Sequence, residues 1–198
     1  CGLIFTASVF GRESADILDN VGSPLIKIAS GDITFHQLLD YVARKNKPIL
    51  LSTGMATLGE IEEAVNVILN AGNNKIALLH CISSYPANHE ELNLRTIQTL
   101  EKTFNLPVGF SDHSNGIVAS VIAVALGAKI IEKHFTLDRN LPGPDHRLSL
   151  DPIEFAEMVK NIRIAEKALG DGIKKPTGSE EKLKRHARRS LFARTAIP

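Results

Sequence analysis

Apolar, β-branched runs recur along the chain and predict a series of short buried strands. The segments between the runs have helical periodicity, and the resulting βα repeat is roughly 22 to 32 residues long. The runs are nearly continuous in apolar residues, which indicates a parallel sheet with both faces covered. The pattern predicts six successive βα units, whose strand runs begin near Leu3, Leu25, Ile49, Ile76, Val108 and Ile130.

Two of the predicted helices carry clear start and stop signals. Thr57 and Glu60 form a capping box ahead of an apolar stripe that ends before Gly72. Asp151-Pro152 opens a second helix, which stops at Gly170. The two stripes are Ile61, Ala64, Val65, Ile68 and Leu69, and Phe155, Met158, Val159 and Ile162. The other predicted helices include Thr34–Lys45, Asn93–Phe104 and Gly116–Leu126.

Small or ionisable residues follow each strand run directly. A single strand end of this kind is explained by the residues that turns commonly use. Six strand ends of the same kind indicate a rim around one site. A shared rim is typical of a TIM-type (β/α)8 barrel. A doubly wound sheet would carry a Gly-rich dinucleotide fingerprint, and no G-x-G-x-x-G occurs. We expect an α/β fold with about six of the eight barrel units, and an open six-stranded sheet is the alternative. The tips are Ser8, Ser30-Gly31-Asp32, Ser52-Thr53-Gly54, Ser83-Ser84-Tyr85, Asp112-His113 and Glu132-His134.

Composition narrows the class of partner. The 198 residues carry 23 basic and 22 acidic side chains, a net charge of +1. The overall electrostatic potential therefore does not favour binding to nucleic acid or to a membrane surface. No apolar run reaches the roughly 18 residues of a transmembrane helix. Cys1 and Cys81 form neither a metal-type pair nor a disulfide framework, which favours a reducing cytoplasm. The chain begins at Cys1 and runs at once into an apparent core strand, so we expect a fragment of a longer protein.

The character of the sequence changes after Gly170. Residues 1–172 are predicted to form the partial barrel, and residues 173–198 a polar linker without an apolar stripe. The linker holds a basic cluster that is a candidate nucleic-acid patch. Because no aromatic residues interleave and Glu180 and Glu181 are adjacent, a solvated connector is the favoured interpretation. The cluster is Lys182, Lys184, Arg185, Arg188 and Arg189.

The two histidines of the last strand tips are candidate metal ligands. His113 and His134 stand at equivalent positions of successive strands, so both imidazoles can reach one divalent ion. Two imidazoles leave positions open for water and substrate, as in a catalytic site. The alternative is a pair of histidines that hydrogen-bond loop backbones. Candidates for a third ligand, or for a partner that orients an imidazole, are Asp112, Glu132 and Asp145.

Lys27 interrupts an otherwise apolar strand, where an unpaired ammonium would be costly. Three interpretations stay open: a Schiff base with a carbonyl substrate, a pair with a phosphate or carboxylate, or a buried stem whose head reaches water. A nucleophilic triad built on Ser111 is less convincing, because its partners are adjacent in sequence and no G-x-S-x-G occurs. Hydroxyls and backbone N–H groups suited to a phosphate are offered by Ser8, Ser30, Gly31, Ser52, Thr53 and Gly54.

Six short motifs, in order along the chain, give it a family resemblance. The sequence resembles the N-acetylneuraminate (sialic acid) synthase family, with its legionaminate, pseudaminate and spore-coat polysaccharide relatives. The motifs cover nearly the whole chain and are specific when taken together. They are KIASGD at 27–32, LSTGM at 51–55, LHCISSYP from Leu79 to Pro86, GFSDHS at 109–114, EKHFTLD at 132–138 and GPDH at 143–146.

The resemblance implies an enzyme that condenses phosphoenolpyruvate with an N-acetylated amino sugar such as N-acetylmannosamine, using Mn²⁺ or Mg²⁺. The products would be a nine-carbon 2-keto acid and phosphate. His113 and His134 would hold the metal, and Lys27, Glu132 and Asp145 would be catalytic. Tyr85 and Asp145 would face the sugar, and Glu132 would orient a ligand or a substrate hydroxyl. The other substrate-binding residues would be Ser8, Ser30, Ser52, Gly54, Ser83 and Ser111, although some members have asparagine in place of Ser83.

The family pattern also contains parts that this sequence lacks. Two earlier barrel strands would carry a glutamate and a lysine, and an antifreeze-like (SAF) domain would follow the linker and reach the partner subunit of a homodimer with an arginine. We therefore expect the 198 residues alone to be inactive or nearly so. A Schiff-base aldolase on the same barrel, and a non-catalytic binding module derived from a truncated synthase, are the alternatives.

Overall fold

The computed structural model describes residues 2–196 and shows an α/β protein. Cys1, and the side chain of Arg185 in the basic cluster, lie outside the described residues. The strands are β1 Ile26–Ile28, β2 Ile49–Ser52, β3 Ile76–Cys81, β4 Val108–Asp112 and β5 Ile131–Lys133. The helices are α1 Arg12–Asn20, α2 His36–Ala43, α3 Leu58–Asn70, α4 Thr96–Phe104, α5 Val118–Ala125, α6 Pro152–Leu169 and α7 Gly178–Ala187.

The five strands form one parallel sheet in the order of the chain, which confirms the predicted βα progression. The first predicted strand is wrong as a core element. Leu3 and Phe5 are 89% and 66% exposed, and the segment joins β1 through a single parallel bridge from Ser8 to Lys27. Apart from this bridge, the apolar side chains of the segment meet no surface among the described residues that would bury them.

The two faces of the sheet differ in polarity, although the nearly continuous apolar runs predict that both are covered. Side chains alternate between faces along each strand. One face lies in the core formed with helices α1 to α5 and carries Ile26, Ile28, Ile49, Leu51, Ile76, Leu78, Val108 and Phe110. The strand register places Leu50, Ala77 and Leu79 on the opposite face, together with the small and polar residues Lys27, Ser52, Cys81, Gly109, Ser111 and Glu132.

The sheet is strongly curved toward its polar face. Lys27 on β1 and Glu132 on β5 are four strand spacings apart, and a flat sheet would separate their backbones by about 19 Å. Their side chains nevertheless meet, with Lys27 Nζ 3.5 Å from Glu132 Oε1. Such curvature is that of a barrel wall. The carboxyl ends of all five strands therefore face a common space.

The helix signals are largely confirmed. The backbone N–H of Glu60 donates to Thr57 Oγ1 at 3.3 Å, and Glu60 Oε2 accepts from the Thr57 N–H at 2.7 Å, so the predicted capping box begins α3. The predicted stripe of α3 is buried except for Leu69, which is 43% exposed. In α6, Met158 and Ile162 are buried, whereas Val159 is 38% exposed. Each stripe is thus narrower than the sequence predicts.

Residues 169–198 form a second compact unit that is separate from residues 1–168. It contains α7, which the sequence pattern does not predict because the helix lacks an apolar stripe. A capping box of Thr177 and Glu180 begins it. The interpretation of this region as a linker stays a prediction. In the part of the chain that the structure describes, the helices are too short or too polar to cross a bilayer.

Replacing Gly109 by alanine tests how closely β4 is packed. A Cβ there would lie 2.6 Å from the backbone oxygen of Ile130 and 2.6 Å from Leu79 Cδ2. Overpacking of this kind typically costs about 1 to 3 kcal/mol. We expect Gly109→Ala to lower the free energy of unfolding by that amount in a urea titration.

The control is Gly59→Ala in the first turn of α3, where a Cβ meets nothing nearer than Thr57 Oγ1 at 4.0 Å. It is expected to be neutral or to raise stability by up to about 1 kcal/mol, because alanine loses less backbone entropy than glycine on folding. Equal urea midpoints for Gly109→Ala and the wild type would contradict the close packing.

Candidate active site

A chain of polar contacts runs across the curved face from β1 to the end of β4. Lys27 is buried, and its ammonium faces the carboxylate of Glu132. The hydroxyl of Ser111 donates to Glu132 Oε1 at 2.6 Å, and the same Oγ lies 3.3 Å from Nε2 of His113. A buried ammonium needs such a partner. The structure therefore brings together Lys27, Glu132, Ser111 and His113, which the sequence predicted as site residues.

His113 is held in an orientation that suits a metal ligand. Its Nδ1 lies 2.7 Å from the carbonyl oxygen of Ile82, and because a carbonyl only accepts, Nδ1 carries the hydrogen. Burial lowers the pKa of His113, although the Ile82 carbonyl opposes this, so the neutral ring is favoured. Since the Ser111 hydroxyl donates to Glu132, the lone pair on Nε2 is available to a cation.

Aromatic rings surround this imidazole. The ring centroids of His113 and His134 are 5.4 Å apart, in an edge arrangement. Tyr85 stacks on His113 at 4.2 Å and meets the edge of His134 at 5.7 Å. The predicted metal pair and the predicted sugar-facing tyrosine therefore form one cluster.

The donor set is limited to the two imidazoles. Asp145 Oδ2 lies 3.9 Å from His134 Nδ1, and its side chain is 57% exposed. Within residues 2–196, no three His, Cys, Asp or Glu side chains are grouped closely enough to hold an ion. Two imidazole nitrogens fit a divalent cation that takes its other ligands from water and substrate. Metal binding by His113 and His134 stays a prediction.

Asp112 makes no direct contact with this cluster, so the prediction that its carboxylate binds the metal or hydrogen-bonds an imidazole is wrong. Adjacent residues of a strand point to opposite faces, and Asp112 is fully buried on the helix side. There its Oδ2 lies 3.1 Å from Lys133 Nζ and accepts from the Ser120 hydroxyl at 2.7 Å. Burial lowers the pKa of Lys133, and the adjacent Asp112 opposes that shift. Because Asp112 lies on the opposite face from Ser111 and His113, these three residues do not form the nucleophilic triad.

Three of the predicted substrate-binding residues, Ser30, Gly54 and Ser83, converge at the tips of the first three strands. Ser30 Oγ accepts the backbone N–H of Gly54 at 3.0 Å and lies 3.0 Å from Cys81 Sγ. A Cβ on Gly54 would come within 2.3 Å of Ser83 Oγ and 2.7 Å of Cys81 Sγ. Glycine is therefore required at position 54, because any side chain there would clash with the hydroxyl and thiol groups of the neighbouring strand tips.

Ser52 and Ser8 complete the predicted cradle at its edges. Ser52 is 2% exposed, and within the described residues its Oγ makes no hydrogen bond. Leaving a buried hydroxyl without a hydrogen bond costs about 1 to 3 kcal/mol. A ligand that forms the missing hydrogen bond would offset this cost. Ser8 is joined to Lys27 by a backbone bridge and so flanks the ammonium.

Two contributions to the site were missed by sequence reasoning. Cys81 was interpreted only as a buried free thiol, which is confirmed, but its Sγ also lies among Ser30 and Gly54. Its position two residues before Ser83 at the same strand tip was the available signal. The second is the carbonyl of Ile82, which orients His113. A backbone group leaves no mark in the side-chain sequence.

The geometry defines a class: an α/β protein whose curved parallel sheet presents ionisable side chains and hydroxyls at its carboxyl edge, where enzymes of this architecture bind substrates. Residues 1–174 match the model of the NeuB family, and the chain belongs to that family. The family resemblance of the sequence motifs is thereby confirmed.

Similar proteins cover nearly all of this chain. An uncharacterized protein of Methanocaldococcus jannaschii is 55% identical over 196 residues, which are 99% of this chain and 58% of that protein. The N,N'-diacetyllegionaminic acid synthase of Campylobacter jejuni is 50% identical over 199 residues, 100% of this chain and 60% of the synthase. The chain thus spans less than two thirds of these relatives.

The solved structures show the same fold. The crystal structure of the N-acetylneuraminic acid (sialic acid) synthetase of Leptospira borgpetersenii, in complex with citrate, is 40% identical, with a TM-score of 0.85. The likeness covers 91% of this chain and 63% of that one. The polar face therefore belongs to a fold shared with sugar-acid synthases.

The pH dependence of stability is expected to report on the buried ring of His80. This histidine faces the helix side, where Nε2 lies 2.8 Å from the Leu92 carbonyl, and burial lowers its pKa. Below about pH 6.5 the unfolded chain therefore binds more protons than the folded one. Stability should fall as the pH drops through that value, by up to about 1.4 kcal/mol per pH unit per histidine. His113, whose pKa is lowered for the same reason, adds to the slope.

Urea titrations at pH 7.5, 6.5 and 5.5 measure this slope. His80→Gln should flatten it, whereas His89→Gln, at an exposed position, should leave it as in the wild type. An unchanged slope in His80→Gln would show that the ring takes up its proton equally in both states.

Proposed function

We propose that this chain carries the phosphoenolpyruvate and metal side of a sugar-acid synthase, which joins phosphoenolpyruvate to an N-acetylated amino sugar. The observation that carries the proposal is the continuous polar face from Lys27 through Glu132 and Ser111 to His113, next to the hydroxyl cradle. Membership of the NeuB family, and the 50% identity to a legionaminic acid synthase, support the class of substrate.

Phosphoenolpyruvate presents a phosphate and a carboxylate. The Lys27 ammonium pairs with one of these anions, and the hydroxyls of the cradle receive the other. In the described structure Lys27 is neutralised by Glu132, so an arriving anion shares the ammonium with that carboxylate. The hydroxyls that line the cradle are Ser8, Ser30, Ser52 and Ser83.

The amino sugar lies over the aromatic and imidazole cluster in this proposal. Tyr85 offers a flat apolar surface, Asp145 is exposed for a sugar hydroxyl, and Glu132 accepts from a ligand or hydroxyl. Mn²⁺ or Mg²⁺, held by His113 and His134, would supply polarisation of the sugar aldehyde oxygen. The cluster thus holds the aldehyde carbon next to the phosphoenolpyruvate.

The reaction requires these groups to hold two substrates in line and to move protons. C3 of phosphoenolpyruvate forms the new bond to the aldehyde carbon, whose oxygen takes up a proton. Water adds at C2 and loses a proton, and the C–O bond to phosphate then breaks, leaving the 2-keto acid. Lys27 balances the charge of the departing phosphate, and Glu132 is placed to hold or accept a proton.

The proposal includes a complete (β/α)8 barrel, of which the curved sheet is one wall. This chain spans 58% to 60% of two relatives, and its described sheet has five strands, whereas such a barrel has eight. We therefore propose that the 198 residues bind ligands but turn them over little or not at all. A homodimeric whole protein in the reducing cytoplasm, where Cys81 remains a thiol, belongs to the same proposal.

Calorimetric titration of phosphoenolpyruvate in the presence of Mn²⁺ tests the anion site. Lys27→Met should weaken binding at least about 10-fold, because the bound anion loses a buried ammonium. The matched control is Lys75→Met, which removes an ammonium just before β3 at the opposite end of the sheet. It should leave the Kd unchanged.

Two outcomes would select the alternatives. Trapping of pyruvate on Lys27 with borohydride, without metal, would select the Schiff-base aldolase, which the Lys27–Glu132 pair disfavours because a paired ammonium is a poor nucleophile. If calorimetry detected no binding of Mn²⁺ or phosphoenolpyruvate, and His113→Ala gave the same titration as the wild type, a non-catalytic module would be favoured. Normal turnover of N-acetylmannosamine by these 198 residues would contradict the proposed dependence on further elements.

A further inference from the structure

A buried ion pair lies directly behind the two histidines. Asp112 and Lys133 are partners in the register of β4 and β5, and each immediately precedes a histidine, His113 or His134. Their side chains are 0% and 1% exposed, and Lys133 Nζ lies 3.1 Å from Asp112 Oδ2. The pair is also the last paired position of the β4–β5 ladder. The histidines therefore stand one residue beyond the regular backbone pairing.

Neutral hydrogen bonds complete the pair. Asp112 Oδ1 accepts from the backbone N–H of Ser114 at 2.9 Å and from its hydroxyl at 2.6 Å. Lys133 Nζ donates to the Ser114 carbonyl at 2.5 Å, and the Ser120 hydroxyl of α5 donates to Asp112 Oδ2. The network thus ties β4, β5, the turn after β4 and α5 to one another.

The network also reaches the loop that carries Tyr85. Ser114 forms a parallel bridge with Ala87, whose N–H donates to the carbonyl of His113 at 3.0 Å. Tyr85, two residues earlier, stacks on the His113 ring. Each ring of the cluster is therefore linked through the backbone to the ion pair.

We propose that the Asp112–Lys133 pair is a positioning device that fixes the separation of His113 and His134. A buried ion pair contributes less to stability than its contacts suggest, since apolar replacements are often neutral or stabilising. Fixing a register is the best supported use of such a pair. The proposal rests on the proposed function only in assigning the two rings to a metal ion.

The test compares two double variants that remove both charges. Asp112→Leu/Lys133→Met fills the space with apolar side chains, and Asp112→Asn/Lys133→Gln keeps neutral hydrogen-bonding groups. Glu166→Gln, which disrupts the exposed ion pair of Glu166 with Arg163 on α6, is the matched control. The measurements are the urea midpoint, the Kd for Mn²⁺ alone, and the NMR cross-relaxation between the ring protons of His113 and His134.

We expect a double variant to keep a urea midpoint near that of the wild type, to bind Mn²⁺ about 10- to 100-fold more weakly, and to lose the ring-to-ring signal. Glu166→Gln should change none of these. A folded double variant with wild-type Mn²⁺ affinity and ring-to-ring signal would overturn the proposal and leave the pair a purely structural role.

The remaining outcomes are also decisive. If the wild type binds no Mn²⁺, the metal assignment fails, and the ring-to-ring signal alone decides whether the pair positions the histidines. If neither double variant folds, the pair is required for the fold itself, and a specific positioning role is overturned.

Discussion

The contact between Lys27 and Glu132 is the constraint on which the site depends. An ammonium inside a strand must find a counter-charge, and the carboxylate that provides it lies on β5, four strands away. Only a curled sheet allows that meeting. The curvature that satisfies one buried charge also turns the strand tips inward, so that the hydroxyl cradle and the imidazole cluster share one space.

Because side chains alternate between the two faces of each strand, the candidate site residues and the helix-packed core lie on opposite faces of the sheet. In Asp112-His113 and Lys133-His134, neighbouring residues take opposite faces, and a buried ion pair on one side stands behind two imidazoles on the other. Most of the large aliphatic residues of the strands lie with the helices, whereas Leu50 and Leu79 lie on the polar face. The polar face can therefore hold unsatisfied or shared groups, such as Ser52 and Lys27, without loss of the core.

Much of this arrangement was predictable from local rules. The capping box at Thr57, the succession of parallel strands and the convergence of polar tips follow from patterns a few residues long. The failures arose where the outcome depends on distant partners. Leu3 has the sequence pattern of a strand residue but packs against no core surface among the described residues, and Asp112 stands at a strand tip like a ligand although strand alternation turns it to the helix side. The contact of Cys81 with Ser30 depends on a residue 51 positions away.

The separation of faces has a consequence for how the site is organised before it binds anything. His113 is fixed by a backbone carbonyl, Ser111 by Glu132, and Ser30 by a backbone N–H, so each group is positioned by the fold and not by a ligand. Preorganised groups of this kind lose little entropy on binding. A ligand that shares Lys27 with Glu132 and forms a hydrogen bond with Ser52 therefore gains affinity from contacts that the fold leaves incomplete, and its binding stabilises the folded chain by mass action.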